Sequence, residues 1–147
     1  MAEEAPSPAG PSGSSEIRIA NRLSEIERVA SLVDEFGARH SLSNEILVAL
    51  NVSLDEIINN IISYGYEDAG HHDIVVRLNL RSSDIEVVIE DDGKPFNPLL
   101  APAPDFADKS RLGGVGLHFV RKLMDRLEYV RAGEVNQLRL MKRMKQA

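Results

Sequence analysis

Near the start of the chain, apolar residues recur first at the spacing of a strand and then at the spacing of a helix. The segment "EIRIAN" (16–21) predicts a short first strand. Apolar residues then recur at helical spacing from Ile26 to Phe36. Ser24 is the expected N-cap of this helix, and Gly37 is its expected end. The chain is therefore predicted to open with a strand and an amphipathic helix.

A second and longer apolar pattern predicts a helix that begins near Ser43 and stops at Gly65. Its inner face carries a run of aliphatic residues: Ile46, Leu47, Leu50, Leu54, Ile57, Ile58, Ile61 and Ile62. Glu56 and Asn60 lie one helical turn apart, at the border of that face rather than opposite it. The helix thus presents two polar side chains beside a buried stripe.

The pattern then changes to the period of two that strands show. The segments 73–81 and 85–91 both alternate apolar and polar residues, and the short turn "SSD" joins them. They predict an antiparallel hairpin with one buried face. A long proline-rich segment without a clear period (91–114) follows. It predicts a loop, and a loop of this length in a compact domain is usually functional or disordered.

The last part of the chain is predicted to form one helix and one strand. The segment "GVGLHFVRKLMDRLEYV" (114–130) has apolar residues at helical spacing: Leu117, Val120, Leu123, Met124 and Leu127. The segment "NQLRLMKR" (136–143) then predicts a closing strand. Helices that share one face of a sheet make an α+β two-layer sandwich, and we expect a mixed, mainly antiparallel sheet.

The composition fits one domain with its own core. The chain has 147 residues, of which 43% are hydrophobic and 27% charged, as is ordinary for a globular domain. Residues 1–15 are rich in Pro, Gly and Ser, so we expect a disordered tail there. We expect the folded domain over residues 16–142 and a short C-terminal tail over residues 143–147.

Charge and cysteine content exclude several classes of function. The net charge of −6 argues against a general nucleic-acid binder, which needs an excess of Lys and Arg. The absence of cysteine excludes disulfides, thiol catalysis and Cys-based zinc sites. No segment approaches the roughly 18 apolar residues of a membrane span, and the start does not resemble a signal peptide. We therefore expect a cytoplasmic protein that binds neither nucleic acid nor membranes.

The first candidate for chemistry is the pair Glu56 and Asn60. A carboxylate at this border can act as a general base toward water or a hydroxyl group. An amide oxygen one turn further on can bind Mg²⁺, a hard cation that takes few protein ligands and completes its shell with water and phosphate. The alternative for this pair is a solvated helix edge.

The second candidate is "EDDGKPF" (90–96), which follows a predicted strand directly. Asp91 can accept a hydrogen bond from an exocyclic amine such as that of adenine. Gly93 either lets a ring approach the backbone closely or supplies a positive φ. The alternative is a plain Asp-Gly turn.

The third candidate is "LGGVGLHFV" (112–120), a glycine-rich turn that opens a helix. Free backbone amides at a helix N-terminus form an anion site together with the helix dipole. The amides from Gly113 to Leu117 can therefore approach phosphate oxygens. The alternative is a flexible hinge before the helix, because a Gly-x-Gly at a helix start is a weak signal alone.

Taken together, the three segments supply the parts of an ATP site. They provide a base with a metal ligand, an adenine pocket, a long loop as a lid and a phosphate cradle, in this order along the chain. No metal-binding role is expected for His71 and His72, which lie in a turn without acidic or cysteine companions.

The motifs resemble those of the GHKL (Bergerat-fold) ATPases, and within them the bacterial anti-sigma-factor serine kinases. The resemblance covers about residues 16–142. It places the catalytic base on Glu56 and the Mg²⁺ ligand on Asn60, within "EIINNIISYGYE". It places the adenine contact on Asp91 and Gly93. The phosphate-side Gly-x-Gly-Leu of that family falls on a run of four residues in this chain: Gly114, Val115, Gly116 and Leu117.

The resemblance implies an ATP- and Mg²⁺-dependent serine/threonine protein kinase that phosphorylates a small STAS-type antagonist. It also implies a homodimer that sequesters a sigma factor or another regulator, so that phosphorylation switches partners. A second hypothesis is a nucleotide-dependent binding module that sequesters a regulator without phosphotransfer. A third, the catalytic part of a histidine kinase or an ATP-hydrolysing subunit, has no support from additional domains in this sequence.

Overall fold

The computed structural model describes residues 13–100 and 115–144, which form a five-stranded sheet and three α-helices. The strands are β1 (Ser14–Ala20), β2 (Asp73–Leu80), β3 (Asp84–Asp91), β4 (Arg126–Ala132) and β5 (Val135–Arg143). The helices are α1 (Ile26–His40), α2 (Asn44–Tyr64) and α3 (Val115–Leu123). Short 3₁₀ turns lie at Leu23–Glu25 and Pro98–Leu100.

The strands lie in the order β1-β2-β3-β5-β4, and each neighbouring pair is antiparallel. The predicted α+β architecture is confirmed, although the sheet over the described residues is antiparallel throughout rather than mixed. The predicted β2–β3 hairpin is also confirmed. The pairing of β3 with β5 sets Asp91 directly opposite Asn136 at one end of the sheet.

The core lies between one face of the sheet and the helices. Inward-facing residues of β2 and β3 are fully buried, as the alternation predicts: Ile74, Val76, Leu78, Ile85 and Val87. Phe36 of α1 and both Leu50 and Ile58 of α2 are 0% exposed. Each such side chain contributes about 1.5–3 kcal/mol relative to an exposed one. These contacts fix α2 against the sheet.

The ends of α2 agree with the prediction. The Ser43 hydroxyl accepts a hydrogen bond from the Ile46 N–H at 3.2 Å. At the other end, the Gly65 N–H donates to the Ile61 carbonyl at 2.8 Å. The polar pair near the C-terminal end of this helix is therefore held on a well-defined element.

By length and composition alone, α2 could cross a membrane, so the expectation that no segment approaches such a span was too strong. Its 21 residues include an 18-residue window with a mean hydropathy of 1.4. The core helix of a globular domain passes the same test. Seven residues of α2 are buried within the fold: Ile46, Ala49, Leu50, Ser53, Leu54, Ile57 and Ile58.

Both predicted ends of α1 were wrong. No side-chain hydrogen bond caps the helix at its start, which follows the 3₁₀ turn, so Ser24 is not its N-cap. The helix also continues through Gly37 and ends at His40, and its C-cap is Ser41, whose φ is 57°. Gly37 is buried where α1 meets α2, and a Cβ there would overlap the Leu47 side chain. This glycine serves close helix packing rather than termination.

The predicted third helix over residues 114–130 was wrong in its second half. The helix ends at Leu123, and Arg126–Ala132 forms β4. Leu127 therefore faces the core from a strand, opposite Leu140 of β5. Gly133, with a φ of 62°, lies in the two-residue turn between the two strands. The apolar spacing of this segment fits either a helix or a strand. The pairing with β5 makes it a strand.

The first strand begins earlier than predicted. Ser14 and Ser15 belong to β1 and pair with Asn79 and Leu78 of β2, so the strand starts two residues before its predicted start at residue 16. At the other end, β5 includes Arg143. Gly13 and Met144 of the two predicted tails are also described, and each forms a backbone hydrogen bond to the β2–β3 hairpin. Residues 1–12 and 145–147, and residues 101–114 of the predicted loop, lie outside the described residues.

Replacing Ser43 by Ala removes the hydrogen bond to the first turn of α2, so we expect a loss of about 1 kcal/mol in the free energy of unfolding. Urea denaturation measures it. Ser24→Ala is the matched control, since Ser24 is exposed and caps no helix. We expect a change within about 0.5 kcal/mol for this control. Equal losses in the two variants would contradict the assignment of the caps.

Candidate functional site

A cavity of about 560 Å³ opens between the C-terminal half of α2, the start of α3 and the ends of β3 and β5. This volume is in the range of small-ligand sites. Three of the predicted site residues line it: Asn60, Asp91 and Leu117. Its apolar wall includes Ile57 and Leu138. The cavity thus combines apolar side chains with the polar groups of Asn60 and Asp91.

Glu56 and Asn60 are joined by a hydrogen bond, which the Asn60 Nδ2 donates to the Glu56 Oε2 at 3.1 Å. Both side chains are partly exposed. Because the Asn60 side-chain nitrogen donates to Glu56, the side-chain oxygen is the atom suited to bind a cation. Glu56 itself is not among the residues that line the cavity.

Gly116 lies directly against the Glu56 carboxylate. A Cβ built on Gly116 would overlap the carboxylate carbon and both of its oxygens. A glycine at this position therefore lets the first turn of α3 approach Glu56 closely. The predicted phosphate-side glycine and the predicted base are in contact, although sixty residues separate them in the sequence.

Asp91 ends β3 and is 8% exposed. Its Oδ1 accepts hydrogen bonds from the Gly93 N–H at 2.8 Å and from the Asn136 Nδ2 at 3.0 Å. Burial raises the pKa of this carboxyl above its usual range, and the two hydrogen bonds oppose that shift. With Oδ1 committed in this way, Oδ2 is the oxygen suited to accept a ligand amine.

Asn136, Tyr129 and Arg131 form a polar network behind Asp91 that the sequence reasoning missed. The Asn136 side chain is buried, and its nitrogen also donates to the carbonyl of Lys94 at 2.8 Å. Its oxygen accepts from the Tyr129 hydroxyl and from the Arg131 guanidinium. Arg131 further donates to the Gly93 carbonyl at 2.7 Å. The network fixes both Asp91 and the turn that follows it.

One sequence signal could have revealed Asn136. It stands in phase with Leu138 and Leu140, the inward-facing residues of β5. A polar residue at an inward position of a strand needs a buried partner. Tyr129 and Arg131 were not recognisable in this way, because β4 itself was predicted as helix.

The backbone at Gly65 approaches Gly93 so closely that a side chain at position 93 would collide with it. A Cβ there would lie 2.7 Å from the Gly65 carbonyl oxygen. That oxygen accepts the Lys94 N–H at 2.8 Å, so the two backbones cannot separate without loss of the bond. Gly93 has no positive φ, and the group that approaches it closely is the backbone of the loop after α2. This contact joins both walls of the cavity. The approach of a ring to Gly93 stays a prediction.

The mouth of the cavity is lined by Tyr64, Pro95 and Phe96. The rings of Tyr64 and Phe96 are 72% and 53% exposed, so they offer apolar surface to a ligand at the entrance. Gly113 and Gly114 lie outside the described residues, and Val115 is described only as the first residue of α3. Their predicted part in phosphate binding stays a prediction.

Comparison with known families identifies the domain. Residues 19–142 match the histidine kinase-like ATPase domain. The chain belongs to this family. The resemblance to the GHKL ATPases is thereby confirmed, and ATP is the nucleotide that such a domain binds.

Two relatives illustrate the likeness. The serine/threonine-protein kinase BtrW of Bordetella bronchiseptica is 29% identical over 113 residues, which cover 74% of this chain and 78% of BtrW. The crystal structure of the RsbU and RsbW domains of Rv1364c from Mycobacterium tuberculosis superposes with a TM-score of 0.68 at 15% identity. The match covers 93% of this chain but 34% of that longer chain, and it shows a common fold.

Replacing Asn136 by Ala removes a hydrogen bond that holds Asp91, so we expect ADP affinity to fall about tenfold. The pKa of Asp91 rises further without this bond, so the loss grows as the pH is lowered and the carboxylate becomes protonated. Isothermal titration calorimetry between pH 6 and 8 measures both effects. Gln137→Ala is the control because Gln137 bonds Glu90 on the opposite face of the sheet. Unchanged ADP affinity in folded Asn136→Ala would contradict this role.

Replacing Gly116 by Ala forces the Glu56 carboxylate away from α3, and we expect ATP affinity to fall about tenfold while the fold is retained. The reason can be tested by repeating the change in a Glu56→Ala background, where the added methyl group has room. There we expect less than a twofold effect on the Kd for ATP. An equal loss in both backgrounds would show that the overlap with Glu56 is not responsible.

Proposed function

We propose that the chain is an ATP-dependent serine/threonine protein kinase. The observation that carries the proposal is the contact of Glu56 with both Asn60 and Gly116, beside a cavity that Asn60 and Asp91 both line. A general base for phosphoryl transfer must lie near the phosphates, and Glu56 is hydrogen-bonded to Asn60, which lines the cavity. The similarity to BtrW, named a serine/threonine-protein kinase, supports the same activity.

The residues divide the work of phosphoryl transfer between them. Asp91 accepts the adenine amine, and Ile57 and Leu138 provide apolar surface beside the base. Glu56 orients the serine hydroxyl of a partner and takes its proton as the oxygen attacks the γ-phosphorus and ADP leaves. The backbone amides at the start of α3 would bind the phosphates, as the free N–H groups at a helix N-terminus favour anions.

Mg²⁺ fits this site as a cofactor held by few protein ligands. The Asn60 oxygen is the ligand that the chain offers, and the described residues contain no cluster of three His, Asp or Glu that could hold a metal ion. Mg²⁺ commonly binds through one or two protein groups together with phosphate oxygens. When bound, it would neutralise charge on the β- and γ-phosphates.

The proposed substrate is a STAS-type antagonist protein, and the proposed second partner is a sigma factor or similar regulator that a homodimer sequesters. Both follow from the resemblance to anti-sigma-factor kinases. Phosphorylation of the antagonist would weaken its binding and leave the kinase free to capture the regulator. The net charge of −6 agrees with protein partners rather than nucleic acid.

A nucleotide-dependent binding module is the second candidate. It is favoured by the position of Glu56, which is bonded to Asn60 and covered by Gly116 rather than facing the cavity directly. In such a module, nucleotide binding would set the arrangement of α3 and the adjacent loop without phosphotransfer. The two candidates differ in whether Glu56 reaches the substrate hydroxyl.

The Glu56→Gln variant distinguishes the kinase from the binding module. As the loss of a general base costs about 10²–10⁴ in rate, we expect transfer of label from γ-labelled ATP to a STAS-domain protein to fall at least about a hundredfold. ATP affinity should stay within about threefold, because the amide keeps the shape of the side chain. Asp55→Asn, an exposed neighbour on the same helix, is the control with full activity. If the wild type binds ATP and labels no STAS protein, the binding module is the better description.

A further inference from the structure

The His72 side chain bridges two carboxylates outside the nucleotide cavity. Its Nδ1 lies 3.0 Å from an oxygen of Asp92, and its Nε2 lies 3.0 Å from an oxygen of Asp68. The expectation that this histidine has no acidic companions was therefore wrong. The two carboxylates contact opposite sides of the ring, so they cannot share one metal ion with it.

A bridge of this kind requires the doubly protonated imidazole. A neutral ring carries one N–H, and its second nitrogen would then direct a lone pair at a carboxylate. Both nitrogens donate only in the cation. Hydrogen bonds to Asp68 and then to Asp92 raise the pKa of His72 above its ordinary value, against the opposing effect of burial.

The bridge ties together the two segments that form the adenine end of the cavity. Asp92 directly follows Asp91, while Asp68 belongs to the loop after α2. The His72 ring also stacks on Tyr66, with 4.3 Å between ring centroids and 16° between planes. Tyr66 in turn adjoins Gly65, whose carbonyl accepts the Lys94 N–H.

The backbone of His72 is itself held firmly. Its N–H donates to the Asn21 side chain at 3.0 Å, and its carbonyl accepts the Asn21 N–H at 3.0 Å. These bonds attach the residue to the end of β1. A ring on such an anchored backbone can hold Asp92 and Asp68 in place rather than follow their motion.

We propose that doubly protonated His72 is a positioning residue that holds the Asp91–Gly93 segment where it receives the nucleotide base, and that its deprotonation weakens nucleotide binding. This inference rests on the proposed function, since it takes the cavity to be the site of an adenine nucleotide. It adds a regulatory property to that site, because affinity then depends on pH through a residue that does not touch the nucleotide.

The two carboxylates in contact with the His72 ring, Asp68 and Asp92, favour its cation. Further titratable groups belong to the loop after α2, to the start of β2, and to the end of β3 with the turn after it: Tyr66, Glu67, His71, Asp73, Asp91 and Lys94. His71 is paired with Asp73 at 2.8 Å, and Lys94 with Glu67 at 3.8 Å. Asp68 and Asp92 are the two that touch the His72 ring.

The direction of the pH effect follows from linkage. A group whose folded pKa is raised stabilises the bridge fully below its unfolded value and loses that contribution as the pH rises through the folded pKa. For His72 the loss begins above about pH 6.5. Asp68 has a lowered pKa, chiefly through its hydrogen bond to His72, so its contribution is lost only in acid, below about pH 4. The bridge is therefore complete in mildly acidic solution and opens as the pH rises through the raised pKa of His72.

Calorimetric titration with ADP between pH 6 and 9 tests this, since ADP binding needs no phosphoryl transfer. For the wild type we expect the Kd to rise about fivefold to tenfold more over this range than for His72→Gln. The titration of ADP itself is common to both proteins and cancels in the comparison. At pH 6 the variant should bind more weakly than the wild type. His71→Gln, which removes the neighbouring imidazole but leaves the bridge, is the matched control and should follow the wild type.

Asp92→Asn gives a second, independent variant. NMR titration of the His72 ring should give a pKa above 6.5 in the wild type and a lower one in Asp92→Asn, with the ADP profile displaced toward acid by the same amount. Parallel ADP profiles for the wild type and His72→Gln would overturn the inference and leave the proposed function intact. If no protein binds ADP at any pH, both are overturned.

Discussion

The buried carboxylate of Asp91 is the constraint on which the site depends. A carboxylate that is 8% exposed is costly unless hydrogen bonds replace its water. The pairing of β3 with β5 supplies one of them by placing Asn136 opposite Asp91, and the following turn supplies another from Gly93. The β4–β5 hairpin then adds Arg131, whose guanidinium lies beside the same turn. The β4–β5 hairpin thus fixes the carboxylate at the end of β3 and the turn after it.

The second requirement is that α2 serves the core and the site at once. Ile57 and Ile58 bury against the sheet, and the border of the same stripe carries Glu56 and Asn60. Helix position and site geometry are therefore not independent, because a rotation of α2 would uncover the isoleucines. The start of α3 can then lie on Glu56 only because residue 116 is a glycine. The family match gives this arrangement its meaning, since the same domain type binds ATP.

Local patterns predicted those elements whose signals lie within a few residues of each other. The β2–β3 hairpin has alternation on both sides of a short turn, and α2 has a serine cap and a glycine end. The strand β4 could not be found in this way. Its Leu127 continues the helical spacing of α3, and only the antiparallel pairing with β5 makes it a strand. Gly37 was misread for a similar reason, because the partner that requires it, Leu47, lies on another helix.

The sequence by itself determined which chemical groups are available and in what order: a carboxylate and an amide one helical turn apart, an aspartate after a strand, and glycines before a helix. The order of these groups along the chain resembles that of a nucleotide-binding family. The tertiary structure alone decided which groups meet. Asn136 is 45 positions from Asp91, and Asp92 is 20 positions from His72. Hydrogen bonds act over about 3 Å, so contacts between such distant residues exist only after the strands have paired.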